Sequence, residues 1–128
     1  MKQPMAHLHA LVVDDSPSMR KQLGQALARV DGVAVSEAAD GAEAWRKLVS
    51  ATYDILLTDI NMPVMDGLKL VALVRQGGVH QRVPIVVITT EGAEADRRRA
   101  MTLGASHYLV KPVQAPQVVE AVRVLLRL

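Results

Sequence analysis

Four short apolar runs each end on a residue with chemistry, and that placement constrains the fold more than any other feature of the chain. Asp14 and Asp15 follow LHALVV, Asp59 follows DILLT, Thr89 follows PIVVI, and Lys111 follows HYLV. Each run reads as a buried strand, rich in the Val, Ile and Leu of a sheet covered on both faces. In an open parallel sheet the carboxyl ends of the strands share one edge, where ligands bind. Three carboxylates, a hydroxyl and an amine, far apart in sequence, are therefore expected to meet in one crevice.

The intervening segments carry helical periodicity and start signals. Strands are expected near 8–13, 33–37, 54–58, 84–88 and 106–110. Ser16 and Pro17 read as N-cap and first helical residue, with Met19, Leu23, Leu27 and Val30 as the apolar stripe. Asp40 with Glu43 makes a capping-box pattern opening a helix over 41–50. Asp66 is placed to cap a helix over 67–75, ended by Gly77 and Gly78. A fourth helix is expected over about 93–103, closed by Gly104, and a last one from near Pro116 to the chain end. Strand and helix in strict alternation imply right-handed crossovers and a parallel sheet with helices on both faces. The exception to this regularity is the loop Asn61–Asp66, directly after Asp59, and such loops commonly carry function.

Composition narrows the chemistry. The chain has 128 residues, half of them hydrophobic, enough for one domain with a core of its own. It has no cysteine, which excludes disulfides and thiolate metal sites. No apolar stretch approaches the length of a membrane span, and MKQPMAHLH lacks the apolar segment of a leader, so a cytoplasmic protein is expected. Aromatic residues are limited to Trp45, Tyr53 and Tyr108, which leaves no stacking platform for single-stranded nucleic acid. Arg97, Arg98 and Arg99 fan around a helix and read as a solvated face rather than a phosphate patch. No nucleic-acid partner is expected.

Asp14, Asp15 and Asp59 side by side must either hold protons or be neutralised by a cation. Clustered hard oxygens favour Mg²⁺, which keeps waters and leaves positions for phosphate oxygens. Lys111 can pair with Asp59 in the empty site and with a phosphoryl oxygen in the filled one, while Thr89 offers a hydroxyl. Pro112 follows Lys111, and such a bond can be cis where a turn aims a side chain. Asp59 is then a candidate nucleophile for phosphoryl transfer.

With LVVDD, LLTDINMPVMDG, PIVVITT and GASHYLVKP in these positions, the chain resembles the receiver domains of bacterial two-component response regulators, most of all the single-domain chemotaxis type. The resemblance runs from Leu8 to Leu128, after a tail over 1–7. It implies a flavodoxin-like five-stranded parallel sheet of order 2-1-3-4-5. It implies Asp59 as phospho-acceptor, with Asp14, Asp15, Asp59 and the Asn61 backbone carbonyl around Mg²⁺, and Lys111 on the phosphoryl group. Thr89 and Tyr108 would form the switch, the ring moving inward behind the hydroxyl, and Asn61 and Glu91 would tune phosphoryl lifetime as in a fast-cycling receiver. The donor would be a phosphohistidine on a sensor histidine kinase. The output would be a protein target bound at the face made by the fourth helix, fifth strand and fifth helix, with no output domain in the chain itself. The chain departs from the family in having Val113 where Phe is frequent.

Ordinary roles account for other residues. Asp66 reads as a helix cap, Met62 and Pro63 as loop packing, and Trp45 as core with Leu48 and Val49. His7, His9, His80 and His107 share no spacing and are expected at the surface or strand edges. On spacing alone Tyr108 is a half-buried strand residue, and Glu91 a helix-start acid. The last helix has a narrow polar stripe of Gln117, Glu120, Arg123 and Arg127, which leaves more apolar surface than one sheet face covers. That surface suits a partner, and a weak homodimer through it stays open. Two competing readings share the same residues. A magnesium-dependent aspartyl-nucleophile phosphatase would need an acid/base where Asn61 stands, and a phosphate-independent interaction module would leave the site idle.

Overall fold

Strand and helix alternate throughout the computed structural model, which describes residues 7–128. Apart from His7, the tail expected over 1–7 lies outside the described residues. The elements are β1 (Leu8–Val13), α1 (Pro17–Leu27), β2 (Val33–Ala38), α2 (Gly41–Ser50), β3 (Ile55–Thr58), α3 (Gly67–Arg75), β4 (Ile85–Thr89), α4 (Glu94–Leu103), β5 (His107–Val110) and α5 (Ala115–Leu126). The strands pair in parallel in the order β2-β1-β3-β4-β5. Expected and observed element limits agree to within a residue or two, except that α1 stops at Leu27 and Val30, expected on its apolar stripe, is buried from the turn that follows.

Register brings the chemistry together. Val13 pairs with Ala38 on one side and Thr58 on the other, Thr58 with Val87, and Thr89 with Val110. The residues that follow these strand ends therefore emerge along one edge. Alternation along each strand sends side chains to two cores. Leu11, Val13, Leu56, Ile85 and Val87 pack toward α2, α3 and α4, whereas Ala10, Val12, Leu57, Val86 and Ile88 pack toward α1 and α5. The central strands are buried from end to end. Each Leu, Ile or Val there contributes about 1.5–3 kcal/mol by leaving water, and the sheet forms a rigid base for the loops at its edge.

The helix signals act as written, with one variation. Ser16 Oγ accepts from Met19 N–H at 3.2 Å, and Asp66 Oδ1 accepts from Lys69 N–H at 2.8 Å. Asp40 Oδ1 accepts from Glu43 N–H at 2.8 Å, but Glu43 reaches back to the Ala39 N–H, at 2.7 Å, one residue before the cap. That backbone bond is the main reason the Glu43 carboxyl sits below its usual range; Lys47 assists and burial opposes. Helix α4 is different: Ala93 gives it no side-chain cap, and among its residues Ala100 alone is buried. It ends on Gly104, whose φ of 119° suits glycine.

Two expectations about packing need correction. Trp45 is half-buried against the core and Leu48 is buried, but Val49 is 66% exposed. Helix α2 turns Ala44 and Leu48 to the sheet, and Val49, the next residue round the helix, points away. His80, expected at the surface, is buried. The α3–β4 connection brings its ring under Tyr53, whose backbone N–H donates to His80 Nε2 at 2.9 Å. A ring nitrogen that accepts from an amide carries no proton, so the imidazole is neutral. Burial lowers its pKa, with Asp54 opposing. In α5, Val118, Ala121 and Val122 face the sheet and Leu125 and Leu126 pack partly against the same core, so of the apolar surplus read from the sequence Val124 and Leu128 are the large hydrophobics left exposed.

Candidate functional site

Asp14, Asp59 and Lys111 continue the sheet past the strand ends through backbone bonds. Asp14 N–H donates to Ala38 O (3.1 Å), Asp59 N–H to Val13 O (3.0 Å), and Lys111 N–H to Thr89 O (2.8 Å). Their side chains converge. Lys111 Nζ lies 2.8 Å from Asp14 Oδ2 and 2.9 Å from Asp59 Oδ2, bridging two carboxylates that the sequence separates by 45 positions and the fold makes neighbours. The Lys111–Pro112 peptide is cis. The other carboxylate oxygens are also held: Asp14 Oδ1 accepts from Ser16 N–H at 2.9 Å, and Asp59 Oδ1 from Ile60 N–H at 2.6 Å. Asp15 completes the group from the solvent side, the three residues offering oxygens within 4.8 Å of one another.

The electrostatics are unbalanced by design of the residue set. Three carboxylates face a single ammonium. Burial by itself would lower the Lys111 pKa, but hydrogen bonds and charges from Asp14 and Asp59 outweigh it, and the net shift is upward. Lys111 is therefore fully charged at neutral pH and still leaves negative charge uncompensated. An all-oxygen donor set with surplus negative charge and one solvent-facing member fits a hard divalent cation that keeps several waters, as Mg²⁺ does. Asp14, Asp15 and Asp59 are the residues that would hold it.

The loop after Asp59 is shaped by close approach. Gly67 N–H donates to Ile60 O at 2.8 Å, and a Cβ on Gly67 would lie 1.8 Å from the Asp59 carbonyl oxygen. The start of α3 can reach the Asp59 backbone only because residue 67 has no side chain. Gly41 makes a similar approach, donating to Met65 O at 3.0 Å, where a Cβ would come within 2.6 Å of that oxygen. Between these anchors Val64 adopts a φ of 67°, left-handed and costly for a β-branched residue.

A second group of residues is tied together through Glu91. Thr89 is fully buried, its Oγ1 accepting from Glu91 N–H at 3.3 Å. The Tyr108 ring is buried as well, turned inward, and its hydroxyl donates to Glu91 O at 2.5 Å. Burial raises the Tyr108 pKa, and Asp96, Glu91 and Asp59 add to the rise. Asn61 Nδ2 donates to Glu91 Oε1 at 2.6 Å, spanning the mouth from the β3–α3 loop to the β4–α4 loop. The structure thus brings together the residues proposed for the site from the sequence: Lys111 bonded to Asp14 and Asp59, Asp15 within 4.8 Å of both carboxylates, and Thr89, Asn61 and Tyr108 joined through Glu91. It adds Gly67, which the Asp-Gly pair after the loop could have signalled, and Arg20, whose Nη1 donates to Asp14 O at 2.7 Å.

Comparison with known proteins agrees with this geometry. The sequence model of the response regulator receiver domain matches residues 10–123. The chain is 45% identical over 111 residues to the chemotaxis protein CheY1 of Helicobacter pylori, spanning 86% of this chain and 89% of that protein. It is 42% identical over 111 residues to a chemotaxis protein CheY homolog of Campylobacter jejuni, spanning 86% and 85%. Among solved structures, chemotaxis response regulator CheY4 of Vibrio cholerae is similar with a TM-score of 0.86 and 34% identity, covering 95% of this chain and 99% of that one.

Proposed function

The chain belongs to the response regulator receiver domain family, and from that premise we propose that Asp59 is its phospho-acceptor in a chemotaxis-type relay. The donor is a phosphohistidine of a sensor histidine kinase acting in the cytoplasm. An Asp59 carboxylate oxygen attacks phosphorus, the P–N bond to the donor imidazole breaks, and an acyl phosphate forms. Water later attacks the same phosphorus, the P–O bond to Asp59 breaks, and inorganic phosphate leaves with the carboxylate restored.

Each residue has a physical task in this reading. The Ile60 N–H on Asp59 Oδ1 and the Lys111 ammonium on Oδ2 fix the nucleophile's orientation before the donor arrives. Lys111 is also placed to follow the charge onto a phosphoryl oxygen, a preorganised electrostatic contact. Mg²⁺, when held by Asp14, Asp15, Asp59 and the Asn61 carbonyl, supplies charge neutralisation for the phosphoryl oxygens. Thr89 closes β4 on the same sheet edge, and its hydroxyl, which accepts a long bond from Glu91 N–H, keeps its own proton to donate to a phosphoryl oxygen. Asn61 and Glu91, bonded across the mouth, control access of water to the phosphorylated residue and so its lifetime.

The output passes through the face of α4, β5 and α5. Helix α4 is weakly anchored and Tyr108 ties β5 to Glu91, so a pull on the β4–α4 loop moves that face at modest cost. The single observation that carries the proposal is Lys111 Nζ held between Asp14 and Asp59 beside the open Asp15. Labelled phosphoryl transfer from a phosphorylated histidine kinase tests it: wild type takes the label with Mg²⁺, and Asp59→Asn does not. Equal labelling of the two proteins would overturn it.

A further inference from the structure

The three carboxylates are not held alike. Asp14 and Asp59 each have both oxygens engaged, by Lys111 and by a backbone amide. Among the described residues the Asp15 carboxylate has no hydrogen-bonding partner, and the residue is exposed. What remains to aim it is the backbone. The orientation of the Asp14–Asp15 peptide plane sets the direction of the Asp15 Cα–Cβ bond, and the handle on that plane is the Asp14 carbonyl.

Arg20 grips that handle. It sits one turn into α1, and its Nη1 donates to Asp14 O at 2.7 Å while its Nε donates to Glu37 Oε1 at 2.9 Å. The guanidinium is planar, so fixing two of its nitrogens fixes the fork. Its side chain is only 18% exposed, so it is held rather than waving in solvent. Glu37 lies near the end of β2, in register with Val12, and its own carbonyl accepts from Lys47 Nζ of α2. A brace thus runs from α2 through β2 and Arg20 to the turn that carries both aspartates.

We infer that Arg20 is a positioning residue for the cation: it aims Asp15 by locking the Asp14–Asp15 peptide plane. This rests on the reading that the aspartate cluster binds Mg²⁺. The inference has a sign that simple electrostatics does not share. Arg20 is a positive charge beside a cation site, and on charge alone its removal tightens Mg²⁺ binding. If its work is positioning, removal weakens binding.

Calorimetric titration of the phosphate-free protein with MgCl₂ separates the two. Partners that orient metal ligands are typically worth about 10- to 100-fold in affinity, and Arg20→Ala is expected at the low end, about tenfold weaker than wild type. Arg20→Met, which keeps the aliphatic stem and its packing, is expected to weaken binding equally and serves if Arg20→Ala folds poorly. Glu37→Ala, which removes the far end of the brace, is expected to weaken binding by a few-fold. Thermal midpoints in chelator report any general loss of stability separately from the affinity. Tighter or unchanged Mg²⁺ binding in folded Arg20→Met would overturn the inference. No Mg²⁺ binding by wild type would instead overturn the reading on which it rests.

Discussion

Replacing Gly67 with alanine tests whether the backbone of Asp59 is pinned by close approach. The new Cβ would sit 1.8 Å from Asp59 O, 2.8 Å from Asp59 C and 3.0 Å from Ile60 Cα. All three atoms are backbone, and the carbonyl also accepts from Thr58 Oγ1 at 2.9 Å, so no flexible side chain can yield. An ordinary carbon–oxygen contact needs well over an ångström more room. Overpacking of well-packed sites costs about 1–3 kcal/mol, occasionally more, and a clash confined to backbone belongs at the top of that range. A glycine-to-alanine change in a helix returns up to about 1 kcal/mol, leaving a net destabilisation of about 2–3 kcal/mol. Gly24 is the matched control: it lies within α1, and a Cβ there meets nothing within 4 Å. Gly24→Ala is expected to stabilise by about 0.5–1 kcal/mol. Urea denaturation of both variants, with the slope checked against wild type, measures the difference. Phosphorylation of the folded Gly67→Ala protein should also slow, because Asp59 and Ile60 are displaced together. Equal stabilities for the two variants would refute the close-approach reasoning.

Three further outcomes follow from the same geometry. Lys111→Met leaves Asp14 and Asp59 buried without their counter-charge and is expected to destabilise the cation-free protein by on the order of 3 kcal/mol, with Mg²⁺ restoring part of the loss in thermal denaturation. Because the folded Lys111 pKa is raised above its ordinary 10.5, the wild-type ion-pair contribution is complete below that pH and is lost as pH rises through the folded value; denaturation curves of wild type and Lys111→Met should therefore converge at high pH. His80 has a lowered pKa, so stability is lost as pH falls from its ordinary 6.5 through the folded value; His80→Gln, which can accept from Tyr53 N–H without titrating, should flatten that acid limb. Val64 holds a left-handed φ while 85% exposed, and left-handed backbone costs about 1–2 kcal/mol for an ordinary residue. Val64→Gly is expected to raise the denaturation midpoint slightly, and a fall would show that the valine side chain has a packing role.

The site was readable because its chemistry sits on the most regular part of the fold. Asp14, Asp59, Thr89 and Lys111 each stand at or just past the end of a buried parallel strand, and parallel register makes those ends coincide whatever the loops do. Ser16, Asp40 and Asp66 were equally legible, since capping depends on neighbours within three or four residues. What escaped depends on distant partners. His80 has no local pattern that marks burial; its role exists only because the chain returns beneath Tyr53. Val49 differs from Leu48 by one step around α2, a distinction that needs the sheet in place. Arg20 looks like any arginine on an amphipathic helix until Glu37 and the Asp14 carbonyl are seen on either side of it. The Asn61–Glu91 bond joins loops 30 residues apart, and no local pattern pairs the two residues.

Intact-mass spectrometry after incubation with acetyl phosphate tests the central claim most directly, because it needs no knowledge of the kinase. Wild type with Mg²⁺ should gain the mass of one phosphoryl group. Chelator should abolish the gain, and Asp59→Asn should never show it. Rapid hydrolysis would register as Mg²⁺-dependent phosphate release that the same mutation removes. Neither adduct nor release from wild type, or an adduct that persists in Asp59→Asn, would contradict the assignment of Asp59 as the phospho-acceptor.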